Sequence, residues 1–178
     1  MCPDYLTAKQ RHSTRDDLNS IYDNGGFKRA GVGHGSQLNT QDTVRHDEIH
    51  WLERGDVSPA QLQLWKKIDS LKRALNRTLY LGLTSFEGHY AIYPKGGFYA
   101  RHLDRFHDGS DRVVSFILYL NQDWQTGDGG RLRIYDGDSP SDIDPHGGTM
   151  VCFLSADSEH EVLVNYAPRF SFSGWFKS

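Results

Sequence analysis

The 178-residue chain has two cysteines, six prolines and no apolar run approaching the ~20 residues that cross a bilayer. Cys2 and Cys152 cannot build a disulfide framework, and two thiols fit a reducing compartment. No charged-then-apolar leader opens the sequence, so a cytoplasmic protein with no membrane partner is expected. The net charge is only −3, which argues against nucleic acid as a partner. Apolar bulk is not scarce: 37% of residues are hydrophobic and 12% aromatic, enough to fill a core and to exclude wholesale disorder. The surplus is histidine, nine in all, and it needs a reason.

Residues 1–24 are polar, with a weak helical pattern in Leu18, Ile21 and Tyr22 and no strand evident ahead of it. Residues 24–35 are too glycine-rich for regular structure and are expected to form a mobile loop. The clearest helix runs from Ser58 to Asn76: Ser58 is the N-cap, Pro59 holds the first helical position, and Gln61 is expected to complete a capping box. Leu64, Ile68, Leu71 and Leu75 share one face. After Asn76 the texture changes to short β-branched and aromatic runs at 86–93, 98–102, 112–121, 131–135, 149–154, 159–164 and 169–176. Seven short strands after helices imply an antiparallel sandwich or barrel. The reading is one compact α+β unit, with an N-terminal helical segment at 1–26 and the functional domain at 27–178.

Two motifs are rejected. Gly31-Val-Gly-His-Gly35 lacks the Lys-Ser/Thr of a phosphate loop and opens no helix. Asp136, Asp138, Asp142 and Asp144 resemble a calcium loop, but Pro140 interrupts them and Gly147 stands where a bidentate Glu belongs, so a solvated hairpin loop is expected. Nor does either cysteine sit in a basic setting that would mark a nucleophile.

His102-Leu-Asp104 is different. In a strand, residues i and i+2 point to one face and can grip one ion. Alone the signal is weak: with nine His in 178 residues about one such pair arises by chance, and His46-Asp47-Glu48 is a rival. Context separates them. His160 lies downstream and Arg169 follows nine residues later, an offset no other His shares. Two His and one carboxylate make the facial triad of non-haem Fe(II) oxygenases. Arg169 and Ser173 share a strand face, and a buried guanidinium suits a carboxylate partner. The bland alternative makes Arg169 a surface strand residue.

The chain here resembles the prolyl 4-hydroxylase-type 2-oxoglutarate oxygenases, in particular the hypoxia-inducible-factor prolyl hydroxylases and their bacterial relatives. The matching stretches are Tyr93-Pro-Lys-Gly-Gly-Phe-Tyr99-Ala-Arg-His102-Leu-Asp104, Tyr119-Leu-Asn121-Gln-Asp-Trp124, Gly129-Gly-Arg-Leu-Arg-Ile134, His160-Glu-Val162 and Arg169-Phe-Ser-Phe-Ser173-Gly-Trp175. Arg45-His-Asp47-Glu-Ile49-His-Trp51-Leu-Glu53 resembles the substrate-loop edge of that subfamily. Together they span roughly residues 27–176.

The resemblance implies a double-stranded β-helix (jelly-roll, cupin-like) core with supporting N-terminal helices. It implies Fe(II) on His102, Asp104 and His160, and 2-oxoglutarate held by Arg169 with Ser173, Tyr119 and Tyr93. Arg112, Trp175, Tyr99, Arg45 and Asp47 are the substrate-binding candidates; ordinary aromatic core for Tyr93 and Trp175, or a sheet-edge charge for Arg112, is the alternative. O2 is the oxidant and ascorbate the accessory reductant. The implied reaction couples decarboxylation of 2-oxoglutarate to succinate with C4 hydroxylation of a prolyl residue in a protein. In bacterial members the resemblance points to elongation factor Tu, and an oxygen-sensing role attaches to the animal members. A monomer is expected. Two alternatives are kept: hydroxylation of free proline or another small molecule, and a jelly-roll binding module without catalysis. The remaining histidines lack paired geometry and read as ordinary surface or satisfied residues.

Overall fold

Both helices are set by their caps in the computed structural model, which describes residues 1–31, 43–55, 57–105, 110–137 and 139–178. Thr7 caps α1 (Ala8–Asp23): its hydroxyl accepts from the Gln10 N–H while the Gln10 side chain accepts from the Thr7 N–H. Ser58 caps α2 (Pro59–Leu79), which runs past Asn76 and stops where Tyr80 turns left-handed at φ 54°. The box expected at Gln61 is only half made. Its N–H reaches Ser58 Oγ at 3.1 Å, but its side-chain amide donates to Asp17 Oδ2 at 3.0 Å. Tyr90 Oη donates to the same oxygen at 2.9 Å, so Asp17 ties both helices to the sheet. That tertiary demand outbids the local cap.

The strands are β1 (Lys28–Arg29), β2 (Glu48–Leu52), β3 (Ser85–Tyr93), β4 (Tyr99–His102), β5 (Arg112–Tyr119), β6 (Leu132–Tyr135), β7 (Ser141–Ile143), β8 (Met150–Leu154), β9 (Glu159–Val162) and β10 (Arg169–Lys177). They form a six-stranded sheet in the order β1-β2-β3-β10-β5-β8 and a four-stranded sheet in the order β4-β9-β6-β7. Every pairing is antiparallel. This is the jelly-roll core with N-terminal helices that the sequence leads one to expect.

Three local expectations are corrected. Lys28–Arg29 is not loop: it pairs with Ile49 and Glu48, while the Gly26 carbonyl bonds the His50 ring at 2.7 Å and Phe27 packs on the core. The rest of the expected loop, 32–35, lies outside the described residues. The acidic hairpin holds a strand, β7, in which Asp142 pairs with Arg133 Nε at 2.7 Å; Asp144 pairs with Arg131 Nε at 2.6 Å. Asp138 lies outside the described residues. Extended backbone does precede α1, since Cys2 exchanges main-chain bonds with Met150 at 2.8 and 2.9 Å.

The period of two divides the large sheet cleanly. Phe86, Tyr90 and Ile92 of β3, Val114, Phe116 and Leu118 of β5, and Phe172 and Phe176 of β10 face the helices and pack with Leu18, Leu64, Trp65 and Ile68. The opposite face meets the small sheet through two smaller clusters, Ile117, Tyr119, Leu132 and Val151, and Ala91, Tyr93 and Val162. The helices thus fill one face of the large sheet. The other is left to form a cavity wall.

Candidate active site and metal centre

The small sheet sets two histidines face to face. β4 and β9 pair so that His102 and His160 are direct cross-strand partners, with ring centroids 4.3 Å apart. Asp104 follows as β4 ends. Its Oδ1 lies 3.4 Å from His102 Nε2 and its Oδ2 3.5 Å from His160 Nε2. One donor atom from each residue falls within 4.8 Å of the others.

Both rings are locked for ligation. His102 Nδ1 lies 2.7 Å from the Ala100 carbonyl and His160 Nδ1 3.0 Å from the Ser158 carbonyl. A carbonyl only accepts, so each Nδ1 carries a proton and each Nε2 is the atom that faces Asp104 and can ligate a metal. Burial pushes the His160 pKa down, which keeps its imidazole neutral. Burial acts to raise the Asp104 pKa, but the histidines and the Ser115 hydroxyl outweigh it and hold the carboxyl well below the usual carboxylate range. Two imidazoles and a carboxylate on one side of a cavity fit Fe(II) and leave coordination positions open.

Two supports hold this set. Ser115 Oγ donates to Asp104 Oδ2 at 2.6 Å and lies 2.9 Å from Ser155 Oγ. A carboxylate cannot donate, so the chain runs from Ser155 through Ser115 to Asp104, all of it buried. On the other side Tyr99 stacks on His102 at 3.7 Å, and the Arg45 guanidinium covers Tyr99 at 4.3 Å. Arg45 is held by two bonds to the buried Asp47, at 2.7 and 2.6 Å. Main-chain bonds from Ala100 to Val44 and from His46 to Phe98 fix that segment beside β4.

Arg169 stands elsewhere on the same cavity wall. It is 3% exposed, its Nε donates to the Gly130 carbonyl at 3.0 Å, and it has no carboxylate partner among the described residues. Its guanidinium carbon lies 4.9 Å from the Tyr93 ring centre and 5.1 Å from that of Tyr119. The Tyr119 hydroxyl is buried without a hydrogen-bond partner. Gly130 is required here: its φ is +70°, and a Cβ would meet Arg169 Cδ at 3.0 Å. A buried cation without a counter-ion is costly, and one carboxylate placed between Arg169, Tyr119 and Ser173 satisfies it.

The cavity is lined by Arg45, Tyr93, Tyr99, the three donor residues, Arg169, Ser173 and Trp175. Asp47, Arg112 and Tyr119 stand behind this lining. Arg112 covers Trp175 at 3.5 Å, pairs with Glu87 Oε1 at 2.9 Å and reaches the Asp104 carbonyl at 3.4 Å. His46 and His50 are neither in the donor set nor among the residues that line the cavity.

Sequence reasoning missed three residues here. Ser115 and Ser155 give no signal until Asp104 is placed. His89 shares the face of Tyr93, two strand alternations along, but a histidine outside any motif reads as ordinary. It is 5% exposed and lines the cavity.

Comparisons with known proteins agree with this geometry. Residues 88–177 match the 2OG-Fe(II) oxygenase superfamily. The human protein Egl nine homolog 1 is 30% identical over 183 residues, covering 97% of this chain, which spans 42% of that protein's length. A Pseudomonas putida prolyl-4-hydroxylase is 38% identical with a TM-score of 0.87, covering 99% of this chain and 90% of that one. A Trichoplax adhaerens prolyl hydroxylase, solved with a hypoxia-inducible-factor peptide, is 28% identical with a TM-score of 0.86, over 99% of this chain and 81% of its own. With the family match over half of the chain and a 30%-identical relative covering nearly all of it, the chain belongs to the 2OG-Fe(II) oxygenase superfamily.

Proposed function

We propose that the protein is a prolyl 4-hydroxylase acting on a prolyl residue within a polypeptide. The observation that carries the reading is one cavity with a two-imidazole, one-carboxylate triad and a buried arginine that lacks a counter-ion among the described residues, beside an aromatic wall. His102, Asp104 and His160 would hold Fe(II), and Arg169 with Ser173 and Tyr119 the distal carboxylate of 2-oxoglutarate. Bound together, metal and cosubstrate supply the oxidising power: O2, 2-oxoglutarate and the C4–H bond give succinate, CO2 and the alcohol, one oxygen atom entering each oxidised product. The chain's own part is orientation and exclusion of water. The Nδ1 bonds fix the imidazoles, Ser115 fixes the carboxylate, and Tyr99 and Trp175 wall the space where a pyrrolidine ring packs.

Identity to the Pseudomonas putida enzyme favours a bacterial-type polypeptide substrate, with elongation factor Tu the first to test. The two free thiols fit a monomer working in a reducing cytoplasm, with ascorbate as accessory reductant. The test supplies Fe(II), ascorbate and 2-oxoglutarate and follows succinate with three additions: elongation factor Tu, hypoxia-inducible-factor prolyl peptides, and free proline. Polypeptide-stimulated succinate with a matching hydroxyproline supports the reading. Stimulation by free proline alone assigns a small-molecule enzyme instead, and no metal binding with no turnover refutes catalysis.

A further inference from the structure

His89 lines the cavity, and its ring has no hydrogen-bond partner among the described residues. Its β-sheet neighbours in register are Trp51 on β2 and Ser173 on β10. The imidazole packs against Trp51 at 4.8 Å and Trp175 at 5.6 Å between ring centroids. Its Nδ1 is enclosed without a hydrogen bond, and so is the indole N–H of Trp175. Burial, with Arg45 and Arg112 nearby, pushes its pKa down to about 3 against the opposing pull of Asp104. The ring is therefore neutral at any working pH and carries one N–H.

A buried polar nitrogen with no partner destabilises the free protein, and an apolar side chain of similar shape would remove that cost. Protein atoms wall off Nδ1, which leaves Nε2 as the ring nitrogen available to an occupant of the cavity that His89 lines. The charged groups that act most on His89 are Arg45, Arg112 and Asp104. Trp51 beside it is 46% exposed, so this part of the sheet reaches the protein surface. A prolyl residue has no backbone N–H and presents only carbonyl acceptors. A neutral imidazole N–H matches that chemistry, whereas a cationic group would draw carboxylates into the same space.

We propose that His89 is a substrate-binding residue that donates a hydrogen bond to a main-chain carbonyl at the target prolyl residue, with Trp175 beside it. This rests on the polypeptide reading above. The test compares wild type with His89→Leu and His89→Gln on the polypeptide that wild type hydroxylates in the assay above. His89→Leu should raise the KM for polypeptide about tenfold and that for 2-oxoglutarate less than twofold, a loss in keeping with one hydrogen bond. His89→Gln, which keeps an N–H donor, should recover most of it. Thermal unfolding of His89→Leu without substrate should be no lower than wild type, whereas a purely structural histidine would lower it. An unmoved polypeptide KM, or equal rises for polypeptide and 2-oxoglutarate, overturns the assignment while leaving the hydroxylase reading intact. If wild type hydroxylates only free proline, the polypeptide reading fails first and this inference with it.

Discussion

Acid should single out His89 in a way no contact map can. Its folded pKa of about 3 lies below the 6.5 of a free imidazole. Stability is independent of this group's titration above 6.5 and is lost as pH falls from 6.5 toward 3, because the unfolded chain takes up a proton the folded chain refuses. Each pH unit in that window removes ~1.4 kcal/mol, so the loss is ~2 kcal/mol by pH 5 and would reach ~5 kcal/mol at pH 3. His160 shifts in the same direction, so wild type alone cannot isolate one ring. The comparison with His89→Leu does, since every other group titrates alike in both proteins. Urea unfolding at pH 7.0, 6.0 and 5.0 should show wild type losing stability faster than the variant by the stated slope. A stability difference that stays constant across that range would mean that folded His89 protonates normally, and the neutral-donor argument would collapse.

Other perturbations follow from the same geometry. Ser115→Ala frees Asp104 Oδ2 and should weaken Mn(II) binding in calorimetry ~10–100-fold, while Ser115→Thr keeps the hydroxyl and the affinity. Asp47→Asn leaves the buried Arg45 guanidinium short of its counter-charge and should cost about 3–5 kcal/mol in urea unfolding; Arg45→Met with Asp47→Leu should recover most of it. Arg169→Leu should raise the Kd of 2-oxoglutarate about 100-fold while Mn(II) binds the 2-oxoglutarate-free protein as before. Equal loss of both ligands would place Arg169 in the metal site instead.

How far these residues were legible depends on the range of the interaction that places them. Strand alternation is local, so the shared face of Arg169 and Ser173 and the inward Tyr119 could be read from the chain. The metal pair His102 and Asp104 needed His160 and the family resemblance, because a two-residue spacing arises by chance. Gln61 illustrates the limit: its capping preference is local, but Asp17 arrives from another helix and takes the side chain. Lys28–Arg29 likewise becomes a strand only because β2 offers an edge. His89 was missed for a different reason. A histidine with no partner in sequence reads as ordinary, and only the fold shows that it has none in space either.

The most direct test of the whole account is isotopic. With the responsive substrate, Fe(II), 2-oxoglutarate and 18O2, the account predicts one labelled oxygen in the hydroxyproline and one in succinate for each turnover, both abolished in His160→Ala. Unlabelled hydroxyproline, or label that persists in His160→Ala, would contradict it.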